Sequence, residues 1–84
     1  MIAIKEARYI KNYVVWIRFS DGVEGEVDLG SELGGEIFKP LKKMEYFKQF
    51  ELDDDLATLT WPNGADFDPK FLYNLARRKA KRVA

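Results

Sequence analysis

The stretch "YVVWIRFSDGVEGEVDL", residues 13–29, restricts the fold more than any other part of the chain. Its first seven residues are β-branched or aromatic apart from Arg18. They place Tyr13, Val15, Ile17 and Phe19 on one face of a strand and Val14, Trp16 and Arg18 on the other. Ser20-Asp21-Gly22 then marks a turn, with Asp21 and Gly22 supplying the positive-φ conformations of a tight hairpin. Beyond it, Val23, Gly25, Val27 and Leu29 alternate with Glu24, Glu26 and Asp28, so one face is apolar and the other wholly acidic. A period of two on both sides of a turn is incompatible with a helix. Residues 2–10 also read as extended, with Ile2 and Ile4 in phase and Ala3, Ala7 and Tyr9 opposite, and Lys11-Asn12 falls where a turn belongs. The expectation is a three-stranded antiparallel meander.

After Leu29 the pattern weakens. Gly30, Gly34 and Gly35 interrupt it while Leu33, Ile37, Phe38 and Leu41 still offer apolar surface, so an irregular segment or single helical turn is expected over 30–42. Leu41, Met44, Phe47 and Phe50 are spaced three apart and predict a short helix. "FELDDDLATLTW" (50–61) reads as strand, turn at Asp53-Asp54-Asp55, and strand. Asp68 then suits a helix N-cap and Pro69 the first helical position, where its missing N–H costs nothing. Phe71, Leu72, Leu75 and Ala76 form the apolar stripe of that last helix.

The expected fold is therefore α+β: a small antiparallel sheet of four or five strands, opened by the N-terminal meander, with the C-terminal helix packed on one face. Residues 1–84 make one compact domain, near the lower size limit for folding unaided, where a core leaves about 3–5 kcal/mol. A hydrophobic content of 46% is too high for a disordered chain. There is no cysteine, which removes disulfides and Cys-based zinc sites and fits a reducing cytoplasm. No apolar run has the length of a signal peptide or membrane span, so a cytoplasmic protein without membrane contact is expected.

Three blocks, "FSDGVEGEVDL" (19–29), "FKPLKKMEYFKQFELD" (38–53) and "LTWPNGADFDPKFLY" (59–73), resemble in order and spacing a bacterial family, domain of unknown function 2442. Its pattern runs from a Phe-Ser-Asp-Gly turn and Val-Asp-Leu strand, through Phe-x-Pro-Leu and a downstream Phe, to a Trp-x-x-Gly-x-Asp turn and a helix bearing Leu-Tyr. The resemblance implies a compact α+β domain with no assigned catalytic activity and no catalytic residues to carry over. It also implies relatives that continue into a helix-turn-helix domain, an appendage not expected here, and relatives encoded beside a small partner in toxin–antitoxin-like arrangements.

The residue inventory excludes several chemistries. Without histidine or cysteine there is no triad of the Ser-His-Asp or Cys-His kind, and the commonest general base and metal ligand is missing. Gly34-Gly35 lacks the Lys-Ser/Thr of a phosphate loop. Glu24, Glu26 and Asp28 read as the solvent face of a strand. Asp53, Asp54 and Asp55 lack the Asp-x-Asp-x-Asp-Gly spacing of a calcium loop and read as a polar turn. Asp66 and Asp68 flank Phe67 and are the remaining acid–base candidates. They are better explained as a turn brace and a helix cap, with Phe67 stapled onto Phe71 or Leu72. Asp21, Gly22, Gly64, Asp66, Asp68 and Pro69 are thus expected to be structural, and no metal or cofactor is expected. Tyr9, Tyr13, Trp16, Phe19 and Trp61 read as packing aromatics and as partners of the C-terminal helix, since strands rich in acids make a poor stacking platform for bases.

Net charge is zero but unevenly spread. Residues 70–84 hold six basic residues and no acid, while residues 1–69 hold eight basic residues against all fourteen acids, a balance of −6. The basic tail, Arg77, Arg78, Lys79, Lys81 and Arg82, is expected to complete or fray beyond the last helical turn, where cations are favourable. It is also the candidate contact for nucleic acid or an acidic partner. The leading expectation is a non-enzymatic binding module for another protein or for itself, with an edge strand at 2–10 or 23–29 available for pairing. Accessory nucleic-acid binding through the tail comes second, and a carboxylate enzyme third.

Overall fold

A computed structural model describes residues 2–81, with side chains described through Arg78. Three strands, β1 (Ile4–Lys11), β2 (Val14–Phe19) and β3 (Glu24–Asp28), form an antiparallel sheet in sequence order. Ile17 lies between Ala7 and Gly25, and Trp16 between Arg8 and Glu26. Val15, Ile17, Phe19 and Val27 point inward and are buried, as the alternation requires, while Glu24, Glu26 and Asp28 are exposed. The phase of β1 differs from simple alternation. Register shifts between Ile4 and Glu6 and between Tyr9 and Lys11 insert one extra residue each. The first puts Ile4 on the same inner face as Ala7 and Tyr9, where strict alternation would oppose them.

A second sheet holds two short strands, β4 (Glu51–Asp53) and β5 (Thr58–Thr60). Five strands are present, but they divide three and two instead of forming the single sheet of four or five expected. The two sheets meet in a backbone bond from the Ile4 N–H to the Ala57 carbonyl, 3.1 Å long. Just beyond it comes the bulge at Lys5, which turns the edge of β1 away before a ladder can continue.

Between the sheets, 3-10 turns at Gly30–Glu32 and Lys39–Lys42 flank the exposed pair Gly34-Gly35. The expected helix over 41–50 shrinks to one turn, α1 (Met44–Phe47), because Lys43 is extended at ψ 123° and separates it from the preceding 3-10 turn. Spacing by three served both pieces, so Leu41 and Phe47 are fully buried despite the break.

Phe47 anchors the core. Tyr9, Tyr13, Phe50 and Trp61 surround its ring at centroid distances of 5.2–6.5 Å. The Trp61 indole N–H donates to the Phe47 carbonyl (2.8 Å), and the Tyr13 hydroxyl donates to the Lys42 carbonyl. Full burial of each large apolar side chain here contributes about 1.5–3 kcal/mol. The aromatics of the sheet were expected to meet the C-terminal helix. Phe19 does, edge-on to Tyr73 at 5.1 Å, whereas Tyr9 and Tyr13 turn to α1 and Trp16 lies on the outer face under Arg8.

The last helix, α2 (Pro69–Lys81), buries Leu72 and Ala76 and half-buries Phe71 and Leu75, the stripe read from the sequence. It packs on β3 so closely that a Cβ on Gly25 would stand 3.3 Å from the Ala76 carbonyl oxygen. Among the described residues no helix is long and apolar enough to cross a membrane.

Candidate functional site

Two turns place Asp21, Gly22 and Gly64, and they are built alike. In Phe19-Ser20-Asp21-Gly22-Val23, the Phe19 N–H donates to the Val23 carbonyl (2.8 Å) and the Gly22 N–H to the Phe19 carbonyl (3.0 Å). In Trp61-Pro62-Asn63-Gly64-Ala65, the corresponding bonds are both 2.9 Å. Gly22 and Gly64 have φ of +91° and +88°, a conformation that only glycine adopts without strain. In each turn the Asx side chain accepts the N–H two residues on, Val23 to Asp21 Oδ1 at 3.0 Å and Ala65 to Asn63 Oδ1 at 3.1 Å. The free end of each Asx side chain then ties the turn to a distant part of the fold. Asp21 Oδ2 accepts from the Tyr73 hydroxyl on α2 (2.5 Å), and Asn63 Nδ2 donates to the Ile37 carbonyl (2.8 Å). Pro62-Asn63-Gly64 reads as a turn from the sequence, but the bond from Asn63 to Ile37 does not, since nothing local links the two.

The other carboxylates do similar work. Asp28 accepts from Gly30 N–H, Asp53 from the N–H groups of Asp55 and Leu56, and Asp68 from Lys70 N–H, the last as the N-cap of α2. Asp66 is exposed, and its backbone pairs with Thr60 in an isolated bridge. Phe67 stacks on Phe71 at 6.0 Å and 14°. The Asp66–Asp68 pair is thus a joint between β5 and α2: one carboxylate caps the helix and the other faces solvent. Shallow clefts lie beside Lys39, Pro40, Lys43 and Tyr46 and beside Gln49, Thr60, Trp61 and Pro62, and each is lined by a single carboxylate, Glu36 or Glu51. Among the described residues no group of His, Cys, Asp or Glu is placed to hold a metal ion.

Of the basic tail, Arg77 and Arg78 sit exposed on α2 instead of beyond it, and the Arg77 guanidinium lies over the Tyr73 ring at 5.7 Å. The side chains of Lys79 and Lys81, and Arg82 altogether, fall outside the described residues. The Tyr73 hydroxyl bond and the Val23 N–H hold the Asp21 carboxyl below its ordinary value, and the same bond raises the Tyr73 phenol.

The outer side of the three-stranded sheet remains. Trp16 lies half-buried at its middle, with the Arg8 guanidinium 5.3 Å from its ring centroid. Glu6 bridges Arg8 at 2.7 Å and Arg18 at 3.0 Å, bonds that lower its carboxyl from the ordinary value, Arg8 contributing most. Along β3 the outer row is Glu24, Glu26 and Asp28, without ion pairs among the described residues. The outer side thus presents a central tryptophan flanked by paired charges, beside an acidic strand.

Neither a curated protein nor a solved structure matches the chain. A family model does, over residues 4–78, which includes all five strands, both joints and most of α2. The chain belongs to the family of proteins of unknown function DUF2442.

Proposed function

We propose that this chain is a non-enzymatic module that binds another protein through the outer side of its three-stranded sheet, in the cytoplasm. One observation carries the reading. The sheet is packed on one face and leaves the other to solvent, with Trp16 at its middle and the acidic strand β3 at its edge. The engagement of Asp68, one of the two acid–base candidates, as the cap of α2 supports it further, as do Asp21, Asp28 and Asp53, each bonded within a turn. A partner of the toxin or regulator kind is consistent with the family resemblance.

Affinity capture of the tagged protein from source cells, with and without nuclease, tests this. A stoichiometric protein that survives nuclease and is lost with Trp16→Ala supports the module. Trp16→Ala removes an aromatic from the centre of the surface, where such side chains supply most binding energy. Material lost on nuclease treatment, and lost again when residues 77–84 are deleted, would transfer the function to Arg77, Arg78 and their neighbours. Their phosphate contacts would also weaken steeply with salt.

A further inference from the structure

The sheet has an edge as well as a face, and the hydrogen-bond pattern says which way that edge looks. In the β2–β3 ladder, Phe19 N–H donates to the Val23 carbonyl and Leu29 N–H to the Tyr13 carbonyl. With Ile17 opposite Gly25 and Val15 opposite Val27, residues 23, 25, 27 and 29 turn their backbone groups toward β2. Glu24, Glu26 and Asp28 therefore turn theirs outward, along the rim of a three-stranded sheet in which β3 is terminal. No hydrogen bond among the described residues engages those outward groups. The same three residues project their carboxylates, exposed, on the outer face. Unpaired backbone at regular spacing is a template for another strand, and the row of side chains beside it selects which strand.

A second copy is a poor occupant. Antiparallel self-pairing centred on Glu26 would set Glu26 against its own image and Glu24 against Asp28, and like charges directly opposite are destabilising. We propose, resting on the binding-module reading above, that β3 takes up an extended segment of another protein with Lys or Arg at alternate positions. That segment becomes the fourth strand. Its basic side chains meet Glu24, Glu26 and Asp28 on the outer face, and its intervening side chains turn to the face where Gly25 and Val27 lie under α2.

The probe is the peptide acetyl-Val-Lys-Val-Arg-Val-Lys-Val-amide, with its Glu-for-Lys/Arg analogue as control, added to isotope-labelled protein. The expected result is about tenfold slower amide exchange at Glu24, Glu26 and Asp28 with the basic peptide, and none with the acidic one. Glu26→Pro deletes an outward N–H without removing a bond to β2, a position where proline is tolerated. It should weaken peptide binding about tenfold or more. If that variant fails to fold by circular dichroism, the double reversal Glu24→Lys/Glu26→Lys decides instead, by losing the basic peptide and gaining the acidic one. Shifts confined to β1 or to the Trp16 face, equal binding of both peptides, or dimerisation of the free protein through β3 in light scattering would each overturn the proposal. A cellular partner held equally by wild type and both variants would overturn the edge assignment and leave the module standing. A peptide that binds β3 while no cellular protein is captured would support the edge chemistry and sink the module.

Discussion

Asn63 and Asp21 occupy equivalent positions in the two turns, but only Asn63 is held to its chemistry by what it faces. Asn63 must donate, because its second partner is the Ile37 carbonyl, whereas Asp21 faces a hydroxyl, which donates to it here and could equally accept from an amide. Asn63→Asp would aim a carboxylate at a carbonyl oxygen and should cost about 1–2 kcal/mol, read as a fall in urea midpoint with unchanged slope. Asp21→Asn should cost less, since the Tyr73 hydroxyl can accept as readily as it donates. The Asp21–Tyr73 bond also fixes a pH dependence with two ends. Asp21 has its carboxyl lowered below 3.8, so its contribution is present above that value and fades as pH falls through the lower folded one. Tyr73 has its phenol raised above 10.0, so its contribution is present below that value and fades as pH rises through the raised one. The stability gap between wild type and Tyr73→Phe, followed by urea titration across pH, should be a plateau that closes in acid and again in alkali.

At the scale of elements, helix and strand meet through small residues. Gly25→Val would drive methyl groups into the backbone of α2 at Ala76 and should destabilise by about 1–3 kcal/mol, with the helix displaced. Asp68→Ala should remove about 1 kcal/mol through loss of the cap, measurable by thermal unfolding, without altering the fold. Ala57 closes the β4–β5 turn at φ +57°, where its Cβ is strained, so Ala57→Gly should be neutral or stabilising by up to about 1 kcal/mol. These elements were legible to different degrees. The β2–β3 hairpin and α2 could be read because period, turn residues and cap agree. The break at Lys43 could not, because a spacing of three suits a 3-10 turn and an α-turn equally. The bulge at Lys5 was invisible for a related reason: an inserted residue changes the phase without changing the composition. In the candidate site, the joints at Asp21 and Asp68 were readable from local turn chemistry. The partners Tyr73 and Ile37 were not, since nothing local links residue 21 to 73 or 63 to 37.

For the molecule as a whole, the meander 4–28 and the hairpin 51–60 each complete their own ladders and share the backbone bond at Ile4–Ala57. Native-state amide exchange should therefore resolve two groups, with Ala57→Pro, which removes the Ala57 N–H bond to the Asp53 carbonyl and cannot adopt φ +57°, loosening the hairpin before the meander. The outer side of the sheet, with Trp16 on it, follows from the alternation along β2 and β3, because the pleat sends Trp16 away from Val15 and Ile17. Gly34-Gly35 stands at the boundary between the meander and everything after it, exposed and with nothing within 4 Å of where side chains would be. A chain opened there would yield an N-terminal piece carrying the proposed binding surface and a C-terminal piece carrying α2 and Tyr73. Neither could bury its apolar face alone, so reassembly of the two would restore binding, and the protein would behave as a two-part switch worked by bringing its halves together.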